Sequence, residues 1–363
     1  MRVAFDVTVS ARAATGVGVY ARQLLPALQA TGHDIRRWQH PLGSSGAYWQ
    51  RGLNGVRLAW WLAHAAGRAC TREGIDVFHA TTAVGPLRTP CPVVMTVHDA
   101  STVTMPLHRG ISDRLFHRAF AVHAARRASA VLCPTQAAAT DVAEHYGIPA
   151  ARIRVVPLGV SPAFRDVTPD AIAAVRARHG LTRPYVLYVG ANTPRKNLST
   201  LVRAMSRLSA RLPDIDLVWV GPAGRNDAAI HDLAHHLQPA PVVRHLGMVP
   251  ESDLPALYAA SSTVAYISLF EGFGLPVAEA MAAGRPVVTS RRSAMAEVAG
   301  DAAWFVDPTD VEAVADGLEK ALTDAKLASR LTTAGRLRSL QYDWAHTAAL
   351  TSAVYRDVSG LRC

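Results

Sequence analysis

The stretch at residues 270–288, FEGFGLPVAEAMAAGRPVV, decides the fold, because a glycine-rich loop opens directly into a helix that a strand follows. Glu271 and Glu279 lie eight positions apart, the first in the loop and the second inside the helix. The loop glycines, Gly274 among them, allow main-chain amides to face an anion, and Pro276 suits the first helical turn. Glu271 can accept hydrogen bonds from sugar hydroxyls, and Glu279 lies near the helix start, within reach of a neutral diol such as ribose. The alternative, which we favour less, is one surface glutamate and one helix-start glutamate without a ligand.

Short β-branched runs alternate with helical patterns on both sides of this stretch. The predicted strands are Val3–Val7, Val77–His79, Val93–Val97, Ala130–Cys133, Ile153–Val156, Tyr185–Val189, Leu217–Val220, Val242–Leu246, Thr263–Ile267, Pro286–Thr289 and Ala303–Val306. This alternation favours parallel sheets covered by helices on both faces. The pattern restarts after the proline-containing stretch 157–169. The sequence therefore predicts two doubly wound α/β domains, 1–165 and 166–343, and a closing helix within 344–363.

A second candidate site closes the predicted strand Tyr185–Val189, in the segment GANTPRKN at 190–197. Arg195 and Lys196 combine a bidentate fork with a point charge just before a helix, which suits a diphosphate. Lys196 is one of three lysines in a chain with 35 arginines, so a lysine is less expected at this position by chance. We favour the diphosphate over a solvated turn.

The first domain holds two weaker candidates. Gly16 and Gly18 follow the first strand and open a helix, which is typical either of an anion site or of a plain tight turn. His98 follows the strand Val93–Val97 and precedes Asp99, where it could donate to a sugar hydroxyl, stabilise developing charge or have a structural role. A serine or cysteine nucleophile in an elbow motif is missing, which excludes a hydrolase of that kind.

The charge is concentrated in the first half of the chain. The chain carries +10 overall, and residues 1–167 hold 18 arginines against 9 acidic residues. This excess suggests an anionic partner. Basic segments at 108–127 and 56–72 could dock on an anionic membrane, or their apolar stripes could face the core. Without a signal peptide, a membrane span or paired cysteines, we expect a cytoplasmic protein, with association at the inner face of the plasma membrane as a hypothesis.

The glutamate pair in its Gly-Phe-Gly-Leu-Pro setting resembles the retaining glycosyltransferases of family 4, the glycosyl transferases group 1. The resemblance runs over the whole chain, from Gly16-Val17-Gly18 through His98-Asp99 and Arg195-Lys196-Asn197 to the late Trp344. It implies the GT-B fold, in which two Rossmann-like domains face each other across a cleft, and a closing helix that returns to the first domain. It also implies a nucleotide-sugar donor and a hydroxyl acceptor, and a lipid link on that acceptor belongs to the membrane-docking hypothesis.

The resemblance assigns roles to particular residues. Glu271 would hold the donor sugar, Glu279 and Val249 the nucleoside, and His98 the transferred sugar near its anomeric carbon. The donor diphosphate would be bound by Gly16, Gly18, Arg195, Lys196, Gly274 and Leu275. No cofactor and no metal are expected, because the two cations take the metal's electrostatic role. Asp214 and Asp216 have metal-binding spacing but precede a strand, so we discount them.

The donor and the alternatives rest on analogy. The short glycine-containing start and the compact length resemble mannosyltransferases that use GDP-mannose and build surface polysaccharides or glycolipids. A nucleotide-sugar epimerase on the same fold is one alternative, although its pattern lacks the glutamate pair. A non-catalytic binder of nucleic acid is another, suggested by the sequence pI of about 9.9. It lacks a recognisable nucleic-acid-binding module, so nucleic acid is not an expected partner.

Overall fold

The computed structural model describes residues 1–8, 10, 15–39, 64–105, 120–224 and 227–360. The chain forms two compact units, one made of Met1–Gly159 with Asp343–Cys363 and the other of Val160–Tyr342. It first passes between the units at 159/160, ahead of the predicted boundary at 165/166. The reason is that Val160 donates its N–H to the Tyr342 carbonyl, at 3.2 Å. The Phe164 ring also packs against Tyr258 in the second unit, with centroids 5.5 Å apart.

The first unit is built on a parallel sheet with the strand order β2-β1-β3-β4-β5-β6. Its strands are β1 (Arg2–Asp6), β2 (Asp34–Trp38), β3 (Val77–Ala80), β4 (Val93–Thr96), β5 (Ala130–Cys133) and β6 (Ile153–Val155). Three of the four inner strands, β3, β4 and β5, are buried along their whole length, as expected for apolar runs in a parallel sheet. The sequence analysis missed β2, an edge strand in which Asp34 and Arg36 are exposed.

The described parts of residues 1–159 contain five α-helices: α1 (Gly16–Gln29), α2 (Ala66–Glu73), α3 (Ser101–Thr104), α4 (Val122–Arg127) and α5 (Gln136–Tyr146). Helix α1 begins where the Thr15 hydroxyl accepts the N–H of Gly18 at 3.1 Å, a standard N-terminal cap. It buries Tyr20, Leu24 and Leu28. Residues 56–63 and 108–119 of the two basic segments lie outside the described residues, so the membrane-docking prediction stays untested.

The second unit is built on another parallel sheet, ordered β12-β11-β10-β7-β8-β9. Its strands are β7 (Tyr185–Val189), β8 (Asp216–Val220), β9 (Val243–Gly247), β10 (Thr263–Tyr266), β11 (Val287–Ser290) and β12 (Trp304–Val306). The chain adds strands in one direction from β7 to β9 and then reverses, so that β10 pairs with β7 on its other side. Ligands of doubly wound sheets bind beyond the carboxyl ends of the strands at such a reversal.

Helices cover both faces of this second sheet. They are α6 (Pro169–Arg178), α7 (Leu198–Arg211), α8 (Asp227–His236), α9 (Leu254–Ala260), α10 (Leu275–Ala282), α11 (Ala294–Ala299), α12 (Val311–Thr323) and α13 (Ala325–Ser339). Asp310 and Asp324 cap α12 and α13 by accepting main-chain N–H bonds. Arg211 of α7 pairs with Asp316 of α12 at 2.6 Å. Within the part of the chain that is described, no helix combines the length and the apolar character needed to cross a bilayer.

The last helix, α14 (Trp344–Gly360), belongs to the first unit. Its Tyr355 hydroxyl forms a 2.5 Å hydrogen bond with Nδ1 of His79, which is completely buried on β3. The other ring nitrogen of His79 lies 2.8 Å from Oγ1 of Thr96. Burial lowers the pKa of His79 to about 3, so the ring is neutral at physiological pH. A polar pair buried in the core thus joins α14 to the first sheet.

A substitution at Gly159 tests how closely α14 packs on the rest of the first unit. A methyl group added here would overlap the main-chain nitrogen of Trp344 and lie 2.6 Å from its Cγ. We expect Gly159→Ala to lower the free energy of unfolding by about 1–3 kcal/mol, the usual cost of overpacking, measured by urea denaturation. The matched control is Gly360→Ala, where the added methyl meets nothing within 4 Å. Equal stability of the two variants would contradict this packing.

Candidate active site

The centre of the candidate site is a buried carboxylate held by two cations. Glu271, in the loop after β10, is 7% exposed. Its Oε2 lies 2.7 Å from Nη1 of Arg195, and its Oε1 lies 3.0 Å from Nζ of Lys196. Arg195 and Lys196 lie in a single 3₁₀ turn, Pro194–Lys196, after β7. The structure therefore brings together three of the residues that the sequence predicted, at the point where the strand order reverses.

The protonation state of Glu271 follows from these contacts. Burial by itself would raise the pKa of Glu271, but Lys196 and Arg195 more than offset that effect and lower it to about 2. The hydroxyl of Tyr266, at the end of β10, also donates a 2.8 Å hydrogen bond to Oε1 of Glu271. Lys196 in turn donates to the Tyr266 hydroxyl. Glu271 is therefore ionised at neutral pH, and the three charged groups together carry one net positive charge.

The main chain around this centre is cross-linked. Leu269 donates its N–H to the Arg195 carbonyl at 2.7 Å, and Nη1 of Arg195 donates to the Phe270 carbonyl at 3.0 Å. Asn197 adopts a left-handed conformation, with φ 60°, which asparagine tolerates better than most residues. Its buried side-chain amide donates to the Pro308 carbonyl at 2.6 Å. The two bonds of Arg195 join the loops after β7 and β10 and restrain its side chain, and the Asn197 bond ties the loop after β7 to the loop after β12.

Glu279 lies on α10, and it has a different environment. Gly274 precedes the helix in a left-handed conformation, with φ 89°, which strongly favours glycine, and Leu275 is the first helical residue. Glu279 is 8% exposed and accepts a 2.8 Å hydrogen bond from the Tyr258 hydroxyl. Burial raises the pKa of Glu279 to about 7. Sequence reasoning missed Tyr258, because it lies in an apolar helical run that carries no sign of function.

The predicted nucleoside contact Val249 and the two discounted metal ligands lie at other strands of the second sheet. Val249 is half-buried and follows β9, the edge strand, two positions along the sheet from β7. Asp214 and Asp216, which the sequence analysis discounted as metal ligands, pair with arginines. Asp216 begins β8 and lies 2.7 Å from Nε of Arg244. The described ranges contain no cluster of three or more histidine, cysteine or acidic side chains arranged to hold a metal ion.

The glycines predicted in the first unit lie at the start of α1. Gly16 is exposed at the first helical position. The N–H of Gly18 is bonded to the Thr15 hydroxyl, so this amide already serves as a helix cap. Their phosphate-binding roles stay predictions.

His98 lies after β4, with its ring edge-on to Tyr20 at a centroid distance of 4.9 Å. Its Nε2 donates to the Thr81 carbonyl at 3.1 Å. Burial lowers the pKa of His98, against the opposing effects of this hydrogen bond and of Asp99. In the neutral ring with the proton on Nε2, Nδ1 is a hydrogen-bond acceptor. His98 in this state can accept from a sugar hydroxyl, whereas the sequence analysis had considered it as a donor.

Comparison with known proteins identifies the family. Residues 14–164 match the family described as Glycosyltransferase Family 4, and residues 173–338 match Glycosyl transferases group 1. The fold and the matches define a glycosyltransferase. The chain belongs to the family of the O-antigen chain mannosyltransferase B of Escherichia coli, to which it is 32% identical over 269 residues, 72% of this chain and 70% of that protein.

A second relative is also named as a mannosyltransferase. The MMP alpha-(1->4)-mannosyltransferase of Mycolicibacterium hassiacum is 31% identical over 239 residues, which cover 64% of this chain and 54% of that protein. The family assignment does not favour the epimerase or the nucleic-acid binder considered from the sequence.

Solved structures confirm the GT-B fold class. Sucrose-phosphate synthase from Thermosynechococcus elongatus superimposes with a TM-score of 0.80 at 21% identity, covering 99% of this chain and 100% of that one. Anabaena Alr3699/HepE in complex with UDP-glucose gives 0.77 at 19% identity, covering 98% and 100%. Two six-stranded parallel sheets are thus an arrangement shared with glycosyltransferases, as the sequence predicted.

The environment of Glu279 predicts a pH dependence of stability. Its pKa rises from 4.5 to about 7 on folding, so the folded state binds a proton that the unfolded state has released between those pH values. Stability therefore falls as pH rises through this window. We expect Glu279→Gln to gain stability relative to the unmodified protein between pH 5 and pH 8, by up to about 3 kcal/mol.

Urea unfolding at a series of pH values measures this difference. The glutamine retains an acceptor for Tyr258, so lost packing does not obscure the comparison. Glu144→Gln, at an exposed position on α5, is the matched control and should leave the pH profile unchanged. A stability difference for Glu279→Gln that stays constant with pH would contradict the raised pKa.

Proposed function

We propose that this glycosyltransferase is retaining and transfers a hexose from a nucleotide-diphosphate sugar to a hydroxyl acceptor. Mannose from GDP-mannose is the donor that we favour, and synthesis of a glycolipid, a polysaccharide or another glycoconjugate is the setting. The observation that carries the proposal is the cluster of Arg195, Lys196 and Glu271 at the strand reversal. The choice of mannose rests on the two relatives that are named as mannosyltransferases.

The charge balance of the cluster supports diphosphate binding. Arg195 and Lys196 supply two positive charges, of which the ionised Glu271 offsets one. The remaining positive charge lies in a partly buried site, where it acts more strongly on an anion than it would in water. As the bond to the sugar breaks, negative charge grows on the leaving diphosphate, and these two cations stabilise it. We therefore propose that the enzyme needs no metal ion and no cofactor.

The proposed reaction keeps the anomeric configuration. The bond between the anomeric carbon and the diphosphate oxygen breaks, and the acceptor oxygen bonds to that carbon on the same face. The proton of the acceptor hydroxyl goes to an oxygen of the leaving diphosphate. Glu271 accepts hydrogen bonds from the hydroxyls of the donor sugar. His98, with Nδ1 as an acceptor, contacts the transferred sugar near the anomeric carbon.

The nucleoside half of the donor has its own proposed contacts. Main-chain amides of Gly274 and Leu275 at the start of α10 and of Gly16 bind the diphosphate. Gly18, whose own N–H is bonded to Thr15, lets the diphosphate approach the main chain closely. Glu279 binds the ribose hydroxyls, and Val249 lies against the nucleoside. Because ribose hydroxyls donate to the carboxylate, binding favours the ionised form of Glu279 and should release a proton near pH 6.

The acceptor and the location of the enzyme are further proposals. The concentration of charge in the first half, 18 arginines against 9 acidic residues at 1–167, supports an anionic partner. We propose a lipid-linked acceptor that is reached by peripheral association with an anionic membrane, from the cytoplasmic side. Vesicle binding at low salt tests the association, and no binding even to strongly anionic vesicles would contradict it.

A nucleotide screen tests the donor. The purified protein is melted with GDP, UDP, ADP or dTDP, each with and without EDTA. We expect GDP at about 100 times its dissociation constant to stabilise the fold by about 2.7 kcal/mol, equally with and without the chelator. Lys196→Ala removes a cation of the cluster and should abolish the shift.

The matched control for this screen is Lys326→Ala, at an exposed lysine on α13, which should keep the full shift. A larger shift with another nucleoside diphosphate would identify that nucleotide, in place of GDP, as the one that carries the donor sugar. A melt that no diphosphate shifts would contradict the proposed function.

The stereochemical outcome gives a separate prediction. With a simple mannoside as acceptor and the α-linked donor GDP-mannose, the new linkage should be α, because the reaction retains configuration. The one-bond coupling between the anomeric carbon and its proton in the NMR spectrum of the product distinguishes the two anomers. A β-linked product would contradict the retaining mechanism but would not contradict the proposed binding of the donor.

A further inference from the structure

Ser293 has an unusual main-chain conformation next to the candidate active site. It lies between β11 and α11 with φ 55° and ψ −141°. Asn197 and Ser293 are the two non-glycine residues with positive φ among the described parts of the chain. The values of Asn197, φ 60° and ψ 33°, are those of the ordinary left-handed region. The values of Ser293 lie close to a region that is essentially restricted to glycine, so its conformation is strained.

The hydroxyl group of Ser293 bonds to the main chain of Glu271 on both sides. Oγ donates to the Glu271 carbonyl at 2.6 Å and accepts the Glu271 N–H at 3.4 Å. One hydroxyl can do both, because it has one proton and two lone pairs. Ala294, the first residue of α11, adds a 3.4 Å bond from its N–H to the same carbonyl. The loop after β11 thus holds the residue whose carboxylate lies at the centre of the site.

Helix capping does not explain this serine. A serine before the first residue of a helix usually accepts an N–H from the first helical turn. The Ser293 side chain makes no such bond to α11. Its hydroxyl bonds to Glu271 instead, and a strained main chain that persists at a functional site often has a role there.

We propose that Ser293 is a positioning residue that fixes the main chain of Glu271 for contact with the donor sugar. This inference rests on the proposed function. Arg195 and Lys196 restrain the Glu271 carboxylate, and Ser293 restrains its N–H and carbonyl. With both ends of the residue held, the carboxylate keeps one direction. Loss of the Ser293 hydroxyl therefore affects the sugar half of the donor and leaves the nucleoside diphosphate half unchanged.

Two substitutions separate positioning from stability. Ser293→Ala removes the hydroxyl and keeps the strain, whereas Ser293→Gly removes both. We expect both variants to lose about tenfold in kcat for release of nucleoside diphosphate from the sugar donor, the effect of one lost hydrogen bond. Their affinities for the free diphosphate should equal that of the unmodified protein. Ser293→Gly should melt at a higher temperature than Ser293→Ala, because glycine tolerates this conformation.

The control is Ser206→Ala, which removes a buried serine hydroxyl bonded to the Pro239 carbonyl at 2.8 Å, away from the site. It should keep the full kcat. Binding is measured by calorimetry with GDP and UDP, and turnover with GDP-mannose and UDP-glucose. The assay follows slow hydrolysis of the donor, so that no acceptor is needed.

The outcomes distinguish a positioning role of Ser293 from a purely structural role. Activity that follows stability, with Ser293→Gly as active as the unmodified protein, would overturn the positioning role. So would loss of diphosphate affinity in both Ser293 variants, because the effect would then lie at the nucleotide. If the unmodified protein binds neither diphosphate and releases none, the proposed function itself fails, and this inference fails with it.

Discussion

The candidate site of the second unit is organised around the buried carboxylate of Glu271. An ionised side chain that is 7% exposed is stable because Arg195 and Lys196 contact its two oxygens. Removing either cation would leave a buried charge without a full partner, which costs far more than a surface ion pair contributes. Tyr266 and Ser293 hold the same residue by its carboxylate and its main chain. Four residues from three segments of the chain, after β7, in β10 and after β11, thus converge on Glu271.

The strand order explains why these segments meet. In the second sheet β7 and β10 are neighbours, although β8 and β9 lie between them in the chain. The loop after β7 carries both cations, and the loop after β10 carries the carboxylate. At the reversal the two chain directions diverge, which leaves space beyond the strand ends for a ligand. The charge pattern and the topology therefore indicate the same place independently.

The sequence predicted contiguous features well and long-range contacts poorly. Arg195 and Lys196 were recognisable because they follow an apolar strand, and Glu271 because it lies in a glycine-rich loop before a helix. Tyr258 and Ser293 were not recognisable, since their partners lie 21 and 22 positions away in the chain. Strand β2 was missed because an edge strand exposes charged residues and lacks an apolar run. The local sequence pattern indicates which residues are buried, whereas the hydrogen-bond partners of a side chain depend on the tertiary fold.

The discontinuity of the first unit has a consequence for the order of folding during synthesis. The second unit is one uninterrupted stretch, Val160–Tyr342, so it has all its residues as soon as that stretch has left the ribosome. The first unit is translated earlier, yet it lacks α14 and the Tyr355 partner of His79 until the whole second unit has been made. An unpaired buried polar group is costly. The domain that is translated first is therefore the last to be completed, opposite to the usual N-terminal-first order.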